Sequence, residues 1–124
     1  MKETAGVWAA MASAGLLAAM GCHSYHIETT VENRTGGTIE LLEVDYPSAS
    51  FGVDKLAAGA EYHYQIQLRG SGGLKVQYVP GEGREGQLTT IDGPAVAEGQ
   101  EGRLKIVLLP QGKAEFDPEL SGKP

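Results

Sequence analysis

Apolar residues recur at every second position along much of this chain, in short runs separated by glycine-rich segments. The most regular run covers residues 62–69, and similar alternation covers residues 25–32 and 74–78. Because successive side chains of a strand point to opposite faces, this period is typical of strands with one buried face. Glycine makes up 18 of the 124 residues, which favours frequent turns over long helices. The chain is therefore expected to be all-β.

Turn signals separate these runs at intervals of about 8–12 residues, which is typical of a small β-sandwich. We expect two antiparallel sheets in an immunoglobulin-like arrangement, with the strand order left open. The apolar pattern changes face at Leu41–Leu42, which predicts a bulge or a change of sheet. The segment Gly70–Gly73 is predicted to be a hairpin turn. Arg103–Leu109 is apolar on both faces and is predicted to be a central strand.

Large apolar residues become sparse after this last run. We therefore expect the sandwich to span residues 26–109 and residues 110–124 to form a flexible tail. Residues 47–60 are predicted to be a long, polar structural loop. Its one aromatic residue is Phe51, and Gly52 would let the backbone turn so that the ring points into the core.

The N-terminal segment contains an uncharged run of small and apolar residues over positions 5–20, directly before the single cysteine of the chain. This run is shorter than the roughly 20 residues that span a bilayer, so residues 1–21 are interpreted as a signal peptide. The sequence Leu-Ala-Ala-Met-Gly-Cys at positions 17–22 resembles the lipobox of bacterial lipoproteins. That resemblance implies cleavage before Cys22, acylation of its thiol and a short tether at residues 22–25. A free Cys22 behind an ordinary secretory signal is the alternative.

Several short motifs between residues 27 and 109 resemble a group of short, uncharacterised bacterial lipoproteins with a single β-sandwich domain. They are the Asn33 turn, the Tyr-Pro pair at 46–47, the Ser-Phe-Gly segment at 50–52 and the glycine-rich segment at 72–73. The resemblance implies a protein of the bacterial cell envelope, held in the membrane by acyl chains such as palmitate on Cys22. Since histidine rather than aspartate follows the cysteine, it favours the outer membrane, facing the periplasm. It implies no activity.

Composition and motif context argue against nucleotide and nucleic-acid binding. The net charge of −6 repels phosphate backbones. Gly81, Gly83 and Gly86 match the spacing of the dinucleotide fingerprint, but the segment after them alternates like a strand and Glu82 and Glu85 would repel a pyrophosphate. The segment is interpreted as a turn, and no cofactor is expected.

The leading interpretation is a non-catalytic, lipid-anchored envelope protein whose sandwich binds an unknown envelope protein or glycan, or has a structural role. No enzyme is predicted, because Gly-Ser-Gly at 70–72 lacks the spacing of a nucleophile elbow. Two alternatives stay open. One is a periplasmic metal-binding module that uses the exposed His26 and His63, with His23 nearby. The other is a hydrolase that uses paired carboxylates, drawn from Glu40, Glu43, Asp45 and Asp54.

Overall fold

The protein folds into two packed four-stranded sheets, which a computed structural model describes for residues 25–81 and 87–122. This confirms the prediction of an all-β chain that forms a small sandwich. The strands, in chain order, are β1 (Ile27–Asn33), β2 (Ile39–Tyr46), β3 (Ala49–Leu56), β4 (Glu61–Ile66), β5 (Gly72–Pro80), β6 (Thr89–Val96), β7 (Glu101–Leu109) and β8 (Lys113–Ser121). A short 3-10 turn, Pro110–Gly112, joins the last two.

The first sheet has the strand order β4-β1-β7-β8, and the second sheet has the order β3-β2-β5-β6. Strands β1 and β7 are parallel and all other pairs are antiparallel. The prediction that the segment ending at Leu109 is a central strand is confirmed, since β7 lies between β1 and β8. The expectation of two purely antiparallel sheets is therefore wrong for the first sheet, which is mixed because β1 pairs with β7 in parallel.

The core lies between the sheets and is built from every second residue of each strand, as the alternation requires. Strand β1 contributes Ile27 and Val31, and its neighbour β7 contributes Leu104, Ile106 and Leu108, all of them almost fully buried. The second sheet faces them with Ile39, Leu42, Val44, Leu74, Val76 and Tyr78.

A β-bulge interrupts strand β2, as the change of apolar face predicts. The register with β5 shifts between Glu40 and Glu43, so that Leu41 and Leu42 both lie opposite Tyr78. Leu41 adopts a left-handed backbone conformation with φ of +50°. As a result Leu42 points into the core, with 2% of its surface exposed, whereas Leu41 points outward and is 63% exposed.

Three expectations about connecting segments are wrong. Gly70–Gly73 is not a hairpin turn, because β4 belongs to the first sheet and β5 to the second, so the segment crosses between the sheets. Residues 47–60 are not a structural loop, since Ala49–Leu56 pairs with β2 along its length.

The expectation of a flexible tail at residues 110–124 is also wrong over Lys113–Ser121, which pairs with β7 as strand β8. The sandwich therefore extends beyond the predicted boundary at 109. The physical reason is that an edge strand needs few apolar side chains. On β8 only Ala114, Phe116 and Leu120 pack against the core, while acidic residues cover its outer face.

Several predictions concern segments outside the described residues. They are the signal peptide at 1–21, the lipid-attachment residue Cys22, His23, and the part of the glycine motif at 82–86. Within residues 25–81 and 87–122, no helix is long and apolar enough to cross a bilayer.

Candidate functional site

The sandwich has two distinct ends. At the near end β1 begins, at Ile27, and at the far end it finishes, at Asn33. Because β7 runs parallel to β1, the turn that follows Leu109 also lies at the far end. A groove of about 430 Å³ opens there, which we call the far-end groove. Its lining residues are Thr35, Gly37, Thr38, Ile39, Tyr78, Pro80, Gly81, Gln87, Leu88, Thr89, Leu109, Pro110, Gln111 and Gly112.

The deep part of the far-end groove is formed by side chains that also belong to the core. Tyr78 comes from the inner face of β5 and is 2% exposed, and Ile39 of β2 lies beside it in the same sheet. A phenol is protonated at neutral pH, and burial raises the pKa of Tyr78 still further. The tyrosine therefore contributes a neutral ring to the groove and no charge.

The described lining of the far-end groove is uncharged. The hydroxyl groups of Thr38 and Thr89 can donate and accept hydrogen bonds, while Pro80 and Pro110 add apolar contact area. The Thr35 hydroxyl already bonds Asn33 and Gly37. Among the lining residues that the structure describes, none has a carboxylate, imidazole, ammonium or guanidinium group. The lining is thus of mixed polarity and combines hydrogen-bonding groups with apolar contact area.

One wall of the far-end groove is held in place by the buried side chain of Asn33. Its Nδ2 atom donates to the carbonyl oxygens of Gly37 at 2.8 Å, Leu56 at 2.9 Å and Ala57 at 3.2 Å. Its Oδ1 atom accepts hydrogen bonds from the backbone nitrogen of Thr35 at 3.0 Å and from its hydroxyl at 2.7 Å. Asn33 thus ties the turn after β1 to the turn after β3. The sequence predicted a turn at this asparagine but gave no sign of its burial.

The histidine candidates are not brought together. His63 lies on the outer face of β4, with Nδ1 2.9 Å from the Thr30 hydroxyl and Nε2 3.5 Å from a carboxylate oxygen of Glu61. His26 precedes Thr30 by four residues, a distance of about 13 Å along an extended chain. Among the described residues no group of three or more His, Cys, Asp or Glu side chains is placed to hold a metal ion.

The carboxylate candidates share the outer surface of the second sheet. A hydrogen bond with Asp45, together with its negative charge, raises the pKa of Glu43. Gln77 on β5 donates to Asp45 at 3.4 Å, and Glu40 lies 4.0 Å from the ammonium group of Lys55. The Glu43–Asp45 pair can exchange a proton, but it lies on an open strand face and outside the far-end groove.

Phe51 and Gly52 serve packing. The Phe51 ring is 5% exposed and stacks on Tyr64, with ring centroids 4.6 Å apart and planes 12° apart. Tyr62 and Tyr46 lie next to the same ring, at 6.1 Å and 6.3 Å. A Cβ atom at Gly52 would lie 2.3 Å from the carbonyl oxygen of Leu42, so glycine is needed here for close strand approach rather than for a loop.

An ion cluster near the far end was not anticipated from the sequence. Glu32 on β1 is 8% exposed, and its carboxylate accepts a 2.5 Å hydrogen bond from Nε of Arg34. Nζ of Lys105 on β7 lies 3.3 Å from its other oxygen. The hydrogen bond from Arg34 lowers the pKa of Glu32, with Lys105 acting in the same direction and partial burial opposing both. The cluster links β1 to its parallel neighbour.

Acid unfolding is expected to depend on Glu32. Because the folded state lowers its pKa, ionised Glu32 contributes stability that is present above the unfolded value of about 4.3. That contribution is lost as the pH falls through the lowered folded pKa. The variant Glu32→Gln is therefore expected to be less stable than the wild type at pH 7 and closer to it at pH 3, in urea unfolding. An equal difference at both pH values would contradict this expectation.

Comparisons with known proteins support the fold and nothing finer. No family model matches the chain, and no curated protein matches it. A solved structure that is similar to it is the NMR structure of a protein from Eubacterium rectale, with a TM-score of 0.51 and 12% sequence identity. The match covers 76% of this chain and 88% of the other. At this identity the similarity concerns the sandwich fold alone.

Proposed function

We propose that this chain is a non-catalytic, lipid-anchored protein of the bacterial cell envelope, attached through Cys22, whose sandwich presents the far-end groove to an envelope protein or a glycan. The observation that carries the proposal is the position of the groove. It opens at the end of the sandwich opposite to the end where β1 begins, and Cys22 precedes β1 by only five residues.

The short spacing to Cys22 sets how far the sandwich can stand from a membrane. Five extended residues reach about 17 Å. Strand β1, with its seven residues, adds about 23 Å between the near end and the far end. An acylated Cys22 would therefore keep the near end close to the lipid surface and point the far-end groove away from it, where a partner has access.

The lining of the far-end groove supports a neutral ligand. Threonine hydroxyls and the amide groups of Gln87 and Gln111 match the hydrogen-bonding groups of a glycan or of an extended peptide backbone. The net charge of −6 argues against phosphate-rich partners. Tyr78 is the one titratable residue among the described lining residues, and its phenol is neutral at pH 7.

Attachment through Cys22 is tested by the variant Cys22→Ser. Several acyl chains hold a protein in a bilayer essentially irreversibly, so the wild type is expected in the membrane fraction with its N-terminal cysteine modified. The variant is expected to leave that fraction or to retain residues 1–21. Fractionation followed by mass spectrometry of the intact protein measures both, and Ser24→Ala is the matched control.

The orientation of the anchored sandwich is tested in the same preparation with a photo-crosslinking residue at Gln111, in the far-end groove, or at Ser121, at the near end. We expect capture of a partner from Gln111 only, and only in the anchored protein. A wild-type chain with an unmodified thiol in a soluble fraction would overturn the anchoring. Equal capture from both positions would overturn the groove as the binding site.

A further inference from the structure

Leu41 combines two unfavourable features. Its φ of +50° lies in the left-handed region, which residues other than glycine and asparagine adopt rarely and at a cost in free energy. Its side chain is 63% exposed, so it gains little from burial. A strained backbone that holds a large apolar side chain in water is a recognised property of functional sites.

The fold itself does not require leucine at this position. The bulge needs one extra residue in β2, and the neighbouring Leu42 fills the core. Glycine would adopt the same φ without strain and would expose no apolar surface. Stability therefore does not account for the leucine at this position.

The surroundings of Leu41 form a concave surface. The side chain borders a hollow of about 500 Å³ whose lining residues are Glu40, Leu41, Asp54, Lys55 and Val79, which we call the Leu41 surface. Val79, on the neighbouring strand β5, is half-buried and extends the apolar area. Such a hollow can receive an apolar side chain and the backbone on either side of it.

The charge around this hollow is negative. Glu40 and Asp54 line it, and Glu43 lies on the same exposed stretch of β2. Lys55 offsets part of this charge and is 4.0 Å from Glu40. Further along β2, beyond the hollow, a hydrogen bond with Asp45 and the charge of that carboxylate raise the pKa of Glu43. A cationic partner would offset this negative charge.

We infer that the Leu41 surface docks an extended polypeptide segment that carries an apolar side chain flanked by lysine or arginine. Leu41 and Val79 provide the apolar contact, and the carboxylates favour a partner with positive charge. The inference goes beyond the proposed function and holds whether or not Cys22 is acylated. The surface adjoins the far-end groove, since Ile39 and Pro80 of that groove flank it in the same two strands.

The inference is tested with the full chain in nanodiscs of zwitterionic phosphatidylcholine and with three synthetic peptides. They are Lys-Lys-Leu-Lys-Lys, the same peptide with serine in place of leucine, and Glu-Glu-Leu-Glu-Glu. In NMR spectra, the lysine–leucine peptide is expected to shift the methyl signals of Leu41 and Val79 and to lower the pKa of Glu43. The other two peptides are expected to bind at least tenfold more weakly.

The variant Leu41→Gly is expected to weaken binding of the lysine–leucine peptide at least tenfold while the urea midpoint stays the same or rises. Leu41→Asn, which also tolerates positive φ, serves if the glycine variant does not fold. Tyr25→Ala is the control, because Tyr25 is 47% exposed and lies outside both the Leu41 surface and the far-end groove, and this variant is expected to bind as the wild type does.

Three results would overturn the inference. One is peptide binding that persists in the Leu41 variants. Another is a set of shifts centred on acidic residues of the first sheet, which would indicate charge attraction alone. The third is a concentration-dependent shift of Leu41 without peptide, which would identify a second copy of the chain as the occupant.

Discussion

Replacing Asn33 with alanine is expected to lower the free energy of unfolding by about 3–5 kcal/mol, among the largest losses for a single substitution here. The side chain is fully buried and bonds three carbonyl oxygens and one residue of its own turn. Alanine would remove all five of these hydrogen bonds, each worth about 1 kcal/mol, and the buried carbonyl oxygen of Leu56 would lose this donor. The carbonyl oxygens of Gly37 and Ala57 would keep the Thr35 hydroxyl and the Ala60 backbone nitrogen as donors. Urea unfolding followed by circular dichroism measures the effect.

Two matched variants separate the donor and acceptor roles of Asn33. Asn33→Asp keeps an acceptor for Thr35 but places a carboxylate against three carbonyl oxygens, so we expect it to be at least as damaging as alanine. Thr35→Val removes the threonine hydroxyl alone and is expected to cost about 1 kcal/mol. Surface substitutions change the free energy of unfolding by about 0.5 kcal/mol or less. A change this small in Asn33→Ala would refute the anchoring role of Asn33.

Phe51→Ala is expected to lower the free energy of unfolding by about 3–5 kcal/mol, as buried phenylalanines do when truncated. The ring lies between β3 and β4, where it stacks on Tyr64 and Tyr62 and closes one side of the sandwich. A domain of this size has a total stability of about 5–15 kcal/mol, so the variant approaches the limit of folding. A sharply lower urea midpoint is the expected measurement.

The matched comparison for Phe51 is Tyr64→Ala. Tyr64 shares the same stack but is 40% exposed, so its truncation removes less buried area and is expected to have a smaller effect. An unchanged midpoint in Phe51→Ala would place the ring in a functional surface and would make residues 46–52 the candidate binding segment.

The alternation of apolar residues was sufficient to predict the sheets and the bulge at Leu41–Leu42, because side-chain period and backbone conformation are directly linked in strands. The alternation did not predict which strands pair with each other. The glycines at 70–73 are compatible with a hairpin and equally with a crossing between sheets, and only the packing of β4 against β1 decides between them. Strand β8 was not predicted from the sequence, because an edge strand needs few apolar residues.

The candidate site was harder to predict than the fold. The far-end groove is assembled from four separate chain segments whose residues carry no distinctive chemistry, and loops of this kind are not constrained by an apolar period. Asn33 has the composition of any turn residue, and its burial follows from the approach of the turn at Leu56 and Ala57. The change of apolar face located the bulge at Leu41, but it did not predict the backbone angle φ, which is the source of the strain.

The parallel pairing of β1 with β7 determines the stage of synthesis at which the first sheet can be completed. Ile27 pairs with Gly102, so the centre of the first sheet joins segments that are 75 residues apart in the sequence. Folding rates fall as contacts become more distant in sequence, and sandwiches dominated by such pairings fold in milliseconds to seconds. During synthesis, β1 has no parallel neighbour until residue 109 has been added, and the first sheet lacks its centre until then. The topology therefore delays closure of the first sheet until β7 has been made, although β1 can pair with β4 and the second sheet can assemble before that.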